Sequence, residues 1–288
     1  MNLDAKKTVA ITGAGKGLGA AYAKYLASKG LNVLVNNRIH PNQESSADLI
    51  VNGIKANGGN AIANYCSIEG LNSGQQILEQ CLDEFGSFDY LINNAGVAEG
   101  KTFSKVTIED FNRILEINLN GVINVTHACY KYMSNNNHGS IIFTTSGAGL
   151  YGQHGMPAYS CAKAGVIGLA HSLHLESLKK NININIISPF AHTNMTKNFL
   201  DEQQSKKFSV HKIVPLVNFL LKSTEISGNI FIAGAGKFKV AKMLENVGID
   251  FSKDKLISEE EISNEIKSLL ELTNLVTRNN ASESFEAL

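Results

Sequence analysis

The sequence predicts a single α/β domain of the doubly wound type, with a seven-stranded parallel sheet covered by helices on both faces. Short apolar runs that suit buried strands alternate with longer stretches that suit helices, which is the pattern of a parallel sheet. A length of 288 residues suits one large α/β domain, and no internal repeat or Pro/Gly/Ser-rich linker divides the chain. A glycine-rich stretch directly after the first apolar run is a third indication, because it suits a tight strand-to-helix turn.

Seven short runs rich in apolar residues are assigned to the strands, in chain order. These runs are Thr8–Thr12, Asn32–Asn36, Ala61–Tyr65, Tyr90–Ile92, Ser140–Thr145, Asn183–Ile187 and Ile230–Ile232. The stretches between them have helical patterns. Helices are predicted to begin near Leu18, Glu44, Leu71, Ile108, Pro157 and His211. The stretch from Ile108 to Tyr132 is predicted to hold most of one helix, and the asparagines at 135–137 an exposed loop before the fifth strand.

A C-terminal helical extension is predicted for residues 237–288, after a domain of residues 1–236. Ser258 and Glu261 form a capping box, and apolar residues follow them at helical spacing. These residues are Ile262, Ile266, Leu269 and Leu270. Either this helix docks its apolar face on the domain, or it forms a dimer contact or a wall of a substrate cleft.

The composition excludes several classes of partner. Lys and Arg (26) balance Asp and Glu (26), and without a basic stripe neither nucleic acid nor an anionic membrane is expected to bind. The four cysteines form no C-x-x-C pair and suit reduced thiols. No apolar run approaches the ~20 residues of a membrane span. The N-terminus leaves no room for a signal peptide and the C-terminus is not a peroxisomal address, so we expect a cytoplasmic protein.

The glycine-rich turn predicts a dinucleotide site. Leu18 stands where G-x-G-x-x-G needs its third glycine, but Gly13, Gly17 and Gly19 fit the spacing G-x-x-x-G-x-G. A turn without Cβ atoms lets backbone N–H groups approach a pyrophosphate at a helix N-terminus. The alternative is an ordinary strand-to-helix turn that is rich in glycine.

Three side chains downstream predict acid–base chemistry. In a helix, Tyr159 and Lys163 are four residues apart and share one face. A cation beside a tyrosine favours the phenolate and moves its pKa towards neutrality, as proton transfer requires. Ser146 follows an apolar run and should lie at the carboxyl end of a strand, where open α/β sheets bind ligands.

With these motifs in this order, the chain resembles the short-chain dehydrogenase/reductase family, which has a Rossmann-type fold. The markers are Thr12-Gly13-x-x-x-Gly17-x-Gly19, Asn93-Asn94-Ala95-Gly96, Asn118, Ser146, Tyr159 and Lys163. They cover residues 8 to 236.

A more specific resemblance is to the (3R)-hydroxyacyl-CoA dehydrogenase part of the peroxisomal multifunctional enzyme type 2. The phrases that carry it are Thr12–Ala23, Val35-Asn36, Ala63-Asn64-Tyr65-x-Ser67, Ile213–Val217 and Gly234–Gly236. The hydratase and sterol-carrier segments that follow in that enzyme are absent from the sequence, so we expect a free-standing dehydrogenase.

The resemblance implies a role for each catalytic residue. Tyr159 would exchange the proton with the substrate oxygen and Ser146 would hydrogen-bond that oxygen. Lys163 would hold the nicotinamide ribose, and Asn118 would anchor a water that links Lys163 to solvent. From the residues alone, Asn118 could equally be a polar residue that kinks a helix.

The expected cofactor contacts combine the glycine turn and the charges near it, which the residues themselves predict, with positions that the resemblance implies. They are Gly13, Lys16, Gly17, Leu18, Gly19, Asn37, Arg38, Ser67, Asn94, Ala95, Gly96, Tyr159, Lys163, Pro189 and Thr193. Two positions depart from the family. Phe190 follows Pro189 where a glycine is usual. Cys66 replaces an acid that commonly touches the adenine, so we expect that hydrogen bond to be missing.

The residues after the second strand favour NADP(H), with NAD(H) possible. An NAD-selective site has an Asp or Glu about twenty residues past the glycines, which binds the ribose 2′-OH and repels a phosphate. Here Asn37 stands where the relative has an aspartate, Arg38 follows, and Lys16 adds a second cation. The alternative is that both cations point to solvent and Asn37 holds the diol.

The expected activity is oxidoreduction between a secondary alcohol and a ketone, most specifically a 3-hydroxyacyl/3-oxoacyl thioester of CoA or acyl carrier protein. The alternatives are a steroid or other bulky alcohol as substrate, and a dinucleotide-binding scaffold without turnover. No metal site is expected, since His171 and His174 lack a third ligand at suitable spacing. Surplus apolar residues on two helices predict a homodimer or homotetramer.

Overall fold

The computed structural model describes residues 6–39, 44–197, 200–251 and 257–286. The chain forms two compact units, Met1–Val240 and Ala241–Leu288. The first unit contains the sheet, except for the last residue of its final strand. The placement of residues 237–288 on the domain or on a partner stays a prediction.

In the part of the chain that the structure describes, the sheet has eight strands, with the order β3-β2-β1-β4-β5-β6-β7-β8. They are β1 (Thr8–Ile11), β2 (Asn32–Asn36), β3 (Asn60–Asn64), β4 (Tyr90–Asn93), β5 (Gly139–Thr144), β6 (Ile182–Phe190), β7 (Ile230–Gly234) and β8 (Lys237–Ala241). Strands β1 to β7 pair in parallel, as predicted, and chain order reverses between β1 and β4.

The eighth strand is an addition to the predicted seven. Only Ala235 and Gly236 connect β7 to β8, and both have positive φ, 52° and 78°. Two such residues form the tight turn of a β-hairpin, so β8 is antiparallel to β7. Lys237, Phe238, Lys239 and Val240 are all exposed, so the segment lacked the apolar run by which the other strands were recognised.

Within the described residues, the helices are α1 (Gly17–Ser28), α2 (Ser46–Ala56), α3 (Ser73–Phe85), α4 (Ile108–Leu115), α5 (Gly121–Asn136), α6 (Gly147–Tyr151), α7 (Pro157–Glu176), α8 (Glu202–Lys207), α9 (Val214–Lys222), α10 (Glu259–Leu270) and α11 (Ala281–Phe285). Those of the first unit cover both faces of the sheet, whereas α10 and α11 belong to the second unit. Helix α1 packs against α2 and α9, whereas α3 packs against α5 and α7 against α4.

The core lies between the sheet and these layers. Val9 and Ile11 of β1 join a buried cluster with Tyr22 and Leu26 of α1. Because side chains alternate along a strand, the buried Ala10 between them faces the opposite layer. Because both faces of these strands are buried, successive residues are apolar, and the strands appear in the sequence as continuous apolar runs.

The stretch predicted as one long helix runs from α4 to α5 through a single π-helical turn, Glu116–Asn120. The predicted loop at 135–137 is wrong for its first two residues, since α5 ends at Asn136. Asn137 then adopts a left-handed conformation (φ 50°) that asparagine tolerates better than most residues and that closes the helix.

The second unit contains α10 and α11. Ser258 and Glu261 form the predicted capping box of α10. Ile262, Ile266 and Leu270 are exposed, and the side chain of Leu269 lies outside the described part of the chain. Glu245 pairs with Val276 through two backbone hydrogen bonds.

Candidate active site

The register of the sheet brings the predicted site residues to one edge. Ile11 lies beside Ile92, Asn93 beside Phe143, and Thr144 beside Ile187. The segments that follow β1, β4, β5 and β6 therefore leave the sheet side by side. This edge is the carboxyl end of the parallel strands, where open α/β sheets bind ligands.

Ser146 and Tyr159 come together at this edge. Ser146 follows β5 and is the N-cap of α6, where its hydroxyl accepts from the backbone N–H of Ala148 at 3.2 Å. Tyr159 lies in the first turn of α7, which begins at Pro157, a residue whose fixed φ suits a helix start. The Ser146 hydroxyl is close enough to the Tyr159 phenol to lower its pKa as a hydrogen-bond partner.

Burial dominates the titration of Tyr159. It raises the pKa of the phenol above its usual range, while the hydrogen bond with Ser146 lowers that pKa by a smaller amount. The Lys163 ammonium lies 5.8 Å from the centre of the Tyr159 ring. The net direction is thus opposite to the lowering that was predicted from the cation, because desolvation of the phenolate is the largest effect on this pKa.

Lys163 is buried in α7 with 3% of its surface exposed, and burial lowers its pKa from 10.5 to about 8. Its Nζ donates to the carbonyl of Thr144 at 3.0 Å. The Thr145 hydroxyl in turn donates to the Lys163 carbonyl at 2.8 Å. These two contacts tie α7 to the end of β5, and sequence reasoning missed both threonines because they continue an ordinary apolar run.

Asn118 lies in the π-helical turn and is fully buried. Its Oδ1 accepts from the Val97 N–H at 3.1 Å, and its Nδ2 donates to the carbonyls of Val97 and Ile114 at 3.0 Å each. A Cβ on Gly96 would lie 2.6 Å from Asn118 Oδ1 and 3.5 Å from Lys163 Nζ. Gly96, Asn118 and Lys163 are therefore neighbours.

The glycine turn packs directly on the segment after β4. Gly13 has φ 63°, and a Cβ there would lie 2.7 Å from the Cα of Ala95. A Cβ on Gly19 would lie 2.5 Å from Asn94 Nδ2. The Thr12 hydroxyl accepts from the N–H groups of Asn94 and Ala95 at 3.0 and 3.1 Å. Thr12 thus joins the two segments, a role that only its place in the family motif could have indicated.

The start of α1 suits a phosphate. Gly17 begins the helix with φ 54°, and Thr193 supplies the nearest atoms to its missing Cβ, at 3.5 Å. The N-cap residue, Lys16, makes no side-chain capping hydrogen bond, so its side chain leaves the first amide groups of the helix available. Leu18 is partly buried against the core beside them. A dinucleotide pyrophosphate fits these open donors.

A second group of predicted residues lies at the ends of β2 and β3. Asn37 Nδ2 donates to Ser46 Oγ at 2.9 Å and to the Arg38 carbonyl at 3.3 Å. A Cβ on Gly15 would lie 2.9 Å from Asn37 Cγ, so Asn37 borders the glycine turn. Lys16 is exposed in that turn. Arg38 and Ser67 both bind Glu69, a residue that sequence reasoning did not consider.

The departure at Phe190 leaves the strand intact. Pro189 and Phe190 are the last two residues of β6, and they pair with Ala233 and Gly234 of β7. The Phe190 ring packs edge-on against Phe208, with 4.9 Å between the ring centres. The phenylalanine therefore replaces the usual glycine without breaking the backbone that leads to Thr193.

At the other departure, Cys66 is half-buried and its carbonyl accepts from Asn36 Nδ2 at 2.9 Å.

Within the described ranges, no group of three His, Cys, Asp or Glu residues is arranged to hold a metal ion. None of the helices in those ranges is long and apolar enough to cross a bilayer.

Comparisons with known proteins match most of the chain. A family model described as short chain dehydrogenase matches residues 7–204. The chain is similar to a peroxisomal hydratase-dehydrogenase-epimerase of Saccharomyces cerevisiae, with 40% identity over 270 residues that cover 91% of this chain and 30% of the relative. It is also similar to a 3-oxoacyl-(acyl-carrier-protein) reductase of Synechocystis sp., with 34% identity over 76% of this chain and 85% of the relative.

Among solved structures, the full-length peroxisomal multifunctional enzyme type 2 of Drosophila melanogaster matches with a TM-score of 0.84 and 27% identity, over 98% of this chain and 48% of that one. The chain thus spans less than a third of the yeast relative and about half of the fly protein.

Proposed function

The chain belongs to the short-chain dehydrogenase/reductase family, as its motifs predicted, and we propose that it interconverts a secondary alcohol and a ketone with NAD(P)(H). The observation that carries this proposal is the contact of Ser146 with Tyr159, beside a buried Lys163 and next to a glycine turn that fits a pyrophosphate.

Each side chain has a distinct part in the proposed reaction. The Tyr159 hydroxyl gives its proton to the carbonyl oxygen during reduction and takes it back during alcohol oxidation. Ser146 holds the same oxygen by a hydrogen bond and favours the phenolate form of Tyr159. Lys163 stabilises that phenolate when charged, and its remaining ammonium donors suit ribose hydroxyls. When bound, the nicotinamide supplies or accepts the hydride.

The proposed substrate is a 3-hydroxyacyl or 3-oxoacyl thioester, carried by CoA or by acyl carrier protein. The support for this class is similarity: one relative is named a 3-oxoacyl-(acyl-carrier-protein) reductase, and others are named for a dehydrogenase within a multifunctional peroxisomal enzyme. The neutral net charge and the motifs do not select a carrier. A steroid or other bulky alcohol is the alternative substrate.

NADP(H) is the proposed cofactor, with NAD(H) as the alternative. Position 37 carries an amide instead of a carboxylate that would repel a 2′-phosphate, and Asn37 borders the glycine turn, beside which the adenosine ribose would lie. Arg38 and Lys16 add positive charge near that place. A planar guanidinium suits a phosphate because it can donate two parallel hydrogen bonds.

Steady-state turnover tests the activity. The wild type should oxidise 3-hydroxyacyl thioesters across a chain-length series on both carriers, whereas Tyr159→Phe should lose about 10²–10⁴-fold in kcat with cofactor affinity nearly intact. Tyr132→Phe on α5 is the matched control and should retain full activity. Cofactor binding without turnover on any thioester, steroid or simple alcohol would instead identify a dinucleotide-binding scaffold.

The cofactor preference is measured as kcat/KM with NADP(H) and NAD(H), for the wild type and for Arg38→Ala. We expect the wild type to prefer NADP(H) and the variant to lose efficiency with NADP(H) only. A wild-type preference for NAD(H), or an Arg38→Ala variant with unchanged NADP(H) kinetics, would contradict the assignment.

A further inference from the structure

We propose that Glu69 is a cofactor-specificity residue that limits the preference for NADP(H) by holding the Arg38 guanidinium. This inference rests on the proposed cofactor site. It concerns the loop between β3 and α3, which contributes no residue to the glycine turn or to the catalytic group.

The two oxygens of the Glu69 carboxylate are bound from two sides. Oε1 lies 3.4 Å from Nη1 of Arg38, and Oε2 accepts a hydrogen bond from the Ser67 hydroxyl. The Glu69 side chain is 27% exposed and that of Arg38 46% exposed. The carboxylate is therefore better shielded from solvent than the Arg38 side chain, nearly half of which stays accessible to a ligand.

The loop backbone holds Glu69 in this position. The Gly70 N–H donates to the Ser67 carbonyl at 3.1 Å, which closes a turn around Glu69. Asn124 of α5 donates from Nδ2 to the Glu69 carbonyl at 3.1 Å. The Glu69 backbone is thus held by α5 and its carboxylate by Ser67, so the carboxylate is positioned to hold the Arg38 guanidinium.

Asn37 makes the Arg38–Glu69 contact more important for binding a 2′-phosphate. Its Nδ2 group donates to Ser46 and to the Arg38 carbonyl, which leaves Oδ1 as its open polar atom. Oδ1 accepts a hydrogen bond and suits a ribose 2′-OH, but it offers nothing to a phosphate. Donors for a 2′-phosphate at this end of the site then come from Arg38 and Lys16, and of these Arg38 is paired with Glu69.

The charges decide the direction of the effect. A phosphate monoester carries about −1.5 to −2 charges at pH 7, so it must compete with the Glu69 carboxylate for Arg38 and is repelled by it. A 2′-OH is neutral, so it is not repelled by Glu69 and does not have to compete with it for Arg38. Because the Arg38–Glu69 pair is partly exposed, its interaction free energy should be that of a surface ion pair, up to about 1 kcal/mol. This corresponds to roughly fivefold in the affinity for NADPH.

Glu69→Gln tests the inference, with Glu79→Gln on α3 as the control for the loss of one negative charge. Equilibrium binding of NADPH and NADH, followed by nicotinamide fluorescence, needs no turnover. We expect Glu69→Gln to bind NADPH about threefold to fivefold more tightly and NADH within about twofold of the wild type. Glu79→Gln should change neither affinity.

Glu69→Gln made in the Arg38→Ala background distinguishes two mechanisms: holding of Arg38 by Glu69, and direct repulsion of the 2′-phosphate by Glu69. If Glu69 acts by holding Arg38, Glu69→Gln should have little effect on NADPH binding once Arg38 is absent. An unchanged NADPH/NADH ratio in Glu69→Gln, an equal gain for both cofactors, or an equal gain in the Arg38→Ala background would each overturn the proposal. A protein that binds both cofactors but never turns over would contradict the proposed activity and leave this test intact.

Discussion

At the scale of single residues, Ser146 sets how readily Tyr159 ionises. Their hydrogen bond lowers the Tyr159 pKa, against a larger upward effect of burial. Ser146→Ala should raise the Tyr159 pKa further, so the pH profile of kcat/KM for alcohol oxidation, which needs the phenolate, should move to higher pH. Ser146→Thr keeps the hydroxyl and should leave the profile nearly in place. An Ala variant that loses rate at every pH without any shift would show that Ser146 acts on the substrate alone.

Lys163 predicts a pH dependence of stability. Burial lowers its pKa from 10.5 to about 8. Below pH 8 the lysine is charged in both folded and unfolded chains and the cost of burying the charge is complete. Between pH 8 and 10.5 the folded chain releases the proton first, so the free energy of unfolding should rise with pH, by up to about 3 kcal/mol.

This effect is measured against Lys163→Met, which has no ammonium to bury. Denaturant unfolding from pH 7 to 10.5 should show the wild type gaining stability relative to the variant as pH rises. Lys24→Met, on the exposed side of α1, controls for the loss of a charge. A constant difference between wild type and Lys163→Met across this range would show that Lys163 is not desolvated as the structure indicates.

The sequence predicted the reacting residues better than their surroundings. Ser146, Tyr159 and Lys163 could be named because their chemistry depends on residue type and spacing. The partners that fix them use backbone atoms, such as the Thr144 carbonyl under Lys163, and a carbonyl carries no sequence pattern. The sequence did not predict the contact of Glu69 with Arg38 for another reason. The two residues are 31 positions apart, and their contact depends on how two loops meet. The cofactor and catalytic roles themselves stay predictions until they are measured.

At the scale of elements, the strands were predictable because parallel strands are buried on both faces and stand out as apolar runs. Each of the seven predicted strands is present, and their ends agree within a few residues. The exposed strand β8 and the short helices α6, α8 and α11 were missed. They have too few residues for a periodic pattern, and their ends depend on caps and turns instead of buried faces.

The glycines of α1 and α2 give an element-scale prediction with a matched control. A Cβ on Gly19 would meet Gly13 O and Asn94 Nδ2 at 2.5 Å, whereas a Cβ on Gly53 would meet nothing within 4 Å. Gly19→Ala should therefore lower both stability and cofactor affinity. Gly53→Ala should raise the free energy of unfolding by about 0.5–1 kcal/mol, since alanine favours a helix. Thermal unfolding and cofactor titration of both variants would test this, and a harmless Gly19→Ala would contradict the packing described for the turn.

At the scale of the whole molecule, two predictions concern the surroundings of the chain: its cellular location and what its C-terminal residues contact. The cytoplasmic location stays a prediction, as does the role of residues 237–288. The long relatives carry further sequence beyond the matched part, so their complete activities belong to those proteins. What transfers to this chain is the family and its fold, which rest on 40% identity over 91% of the chain and a TM-score of 0.84.

The predicted homodimer or homotetramer is the prediction with the most direct physical measurement. Apolar side chains remain exposed on the layer formed by α4, α5 and α7, among them Ile108, Ile123 and Leu175. Surface of this kind is commonly covered by a second copy of the chain, since burial of apolar area is the main driving force of association. Light scattering at micromolar concentration should therefore give a multiple of the 31.1 kDa chain mass.

Charged substitutions locate the contact. Ile123→Asp combined with Leu175→Asp should reduce the measured mass, because two carboxylates would have to be buried at the interface. Leu49→Asp is the matched control: Leu49 is 51% exposed on α2, in the opposite helix layer, and its replacement should leave the mass unchanged. A wild-type mass of 31.1 kDa would refute the oligomer. Dissociation by Leu49→Asp alone would keep the oligomer but move its contact to the layer of α1 and α2.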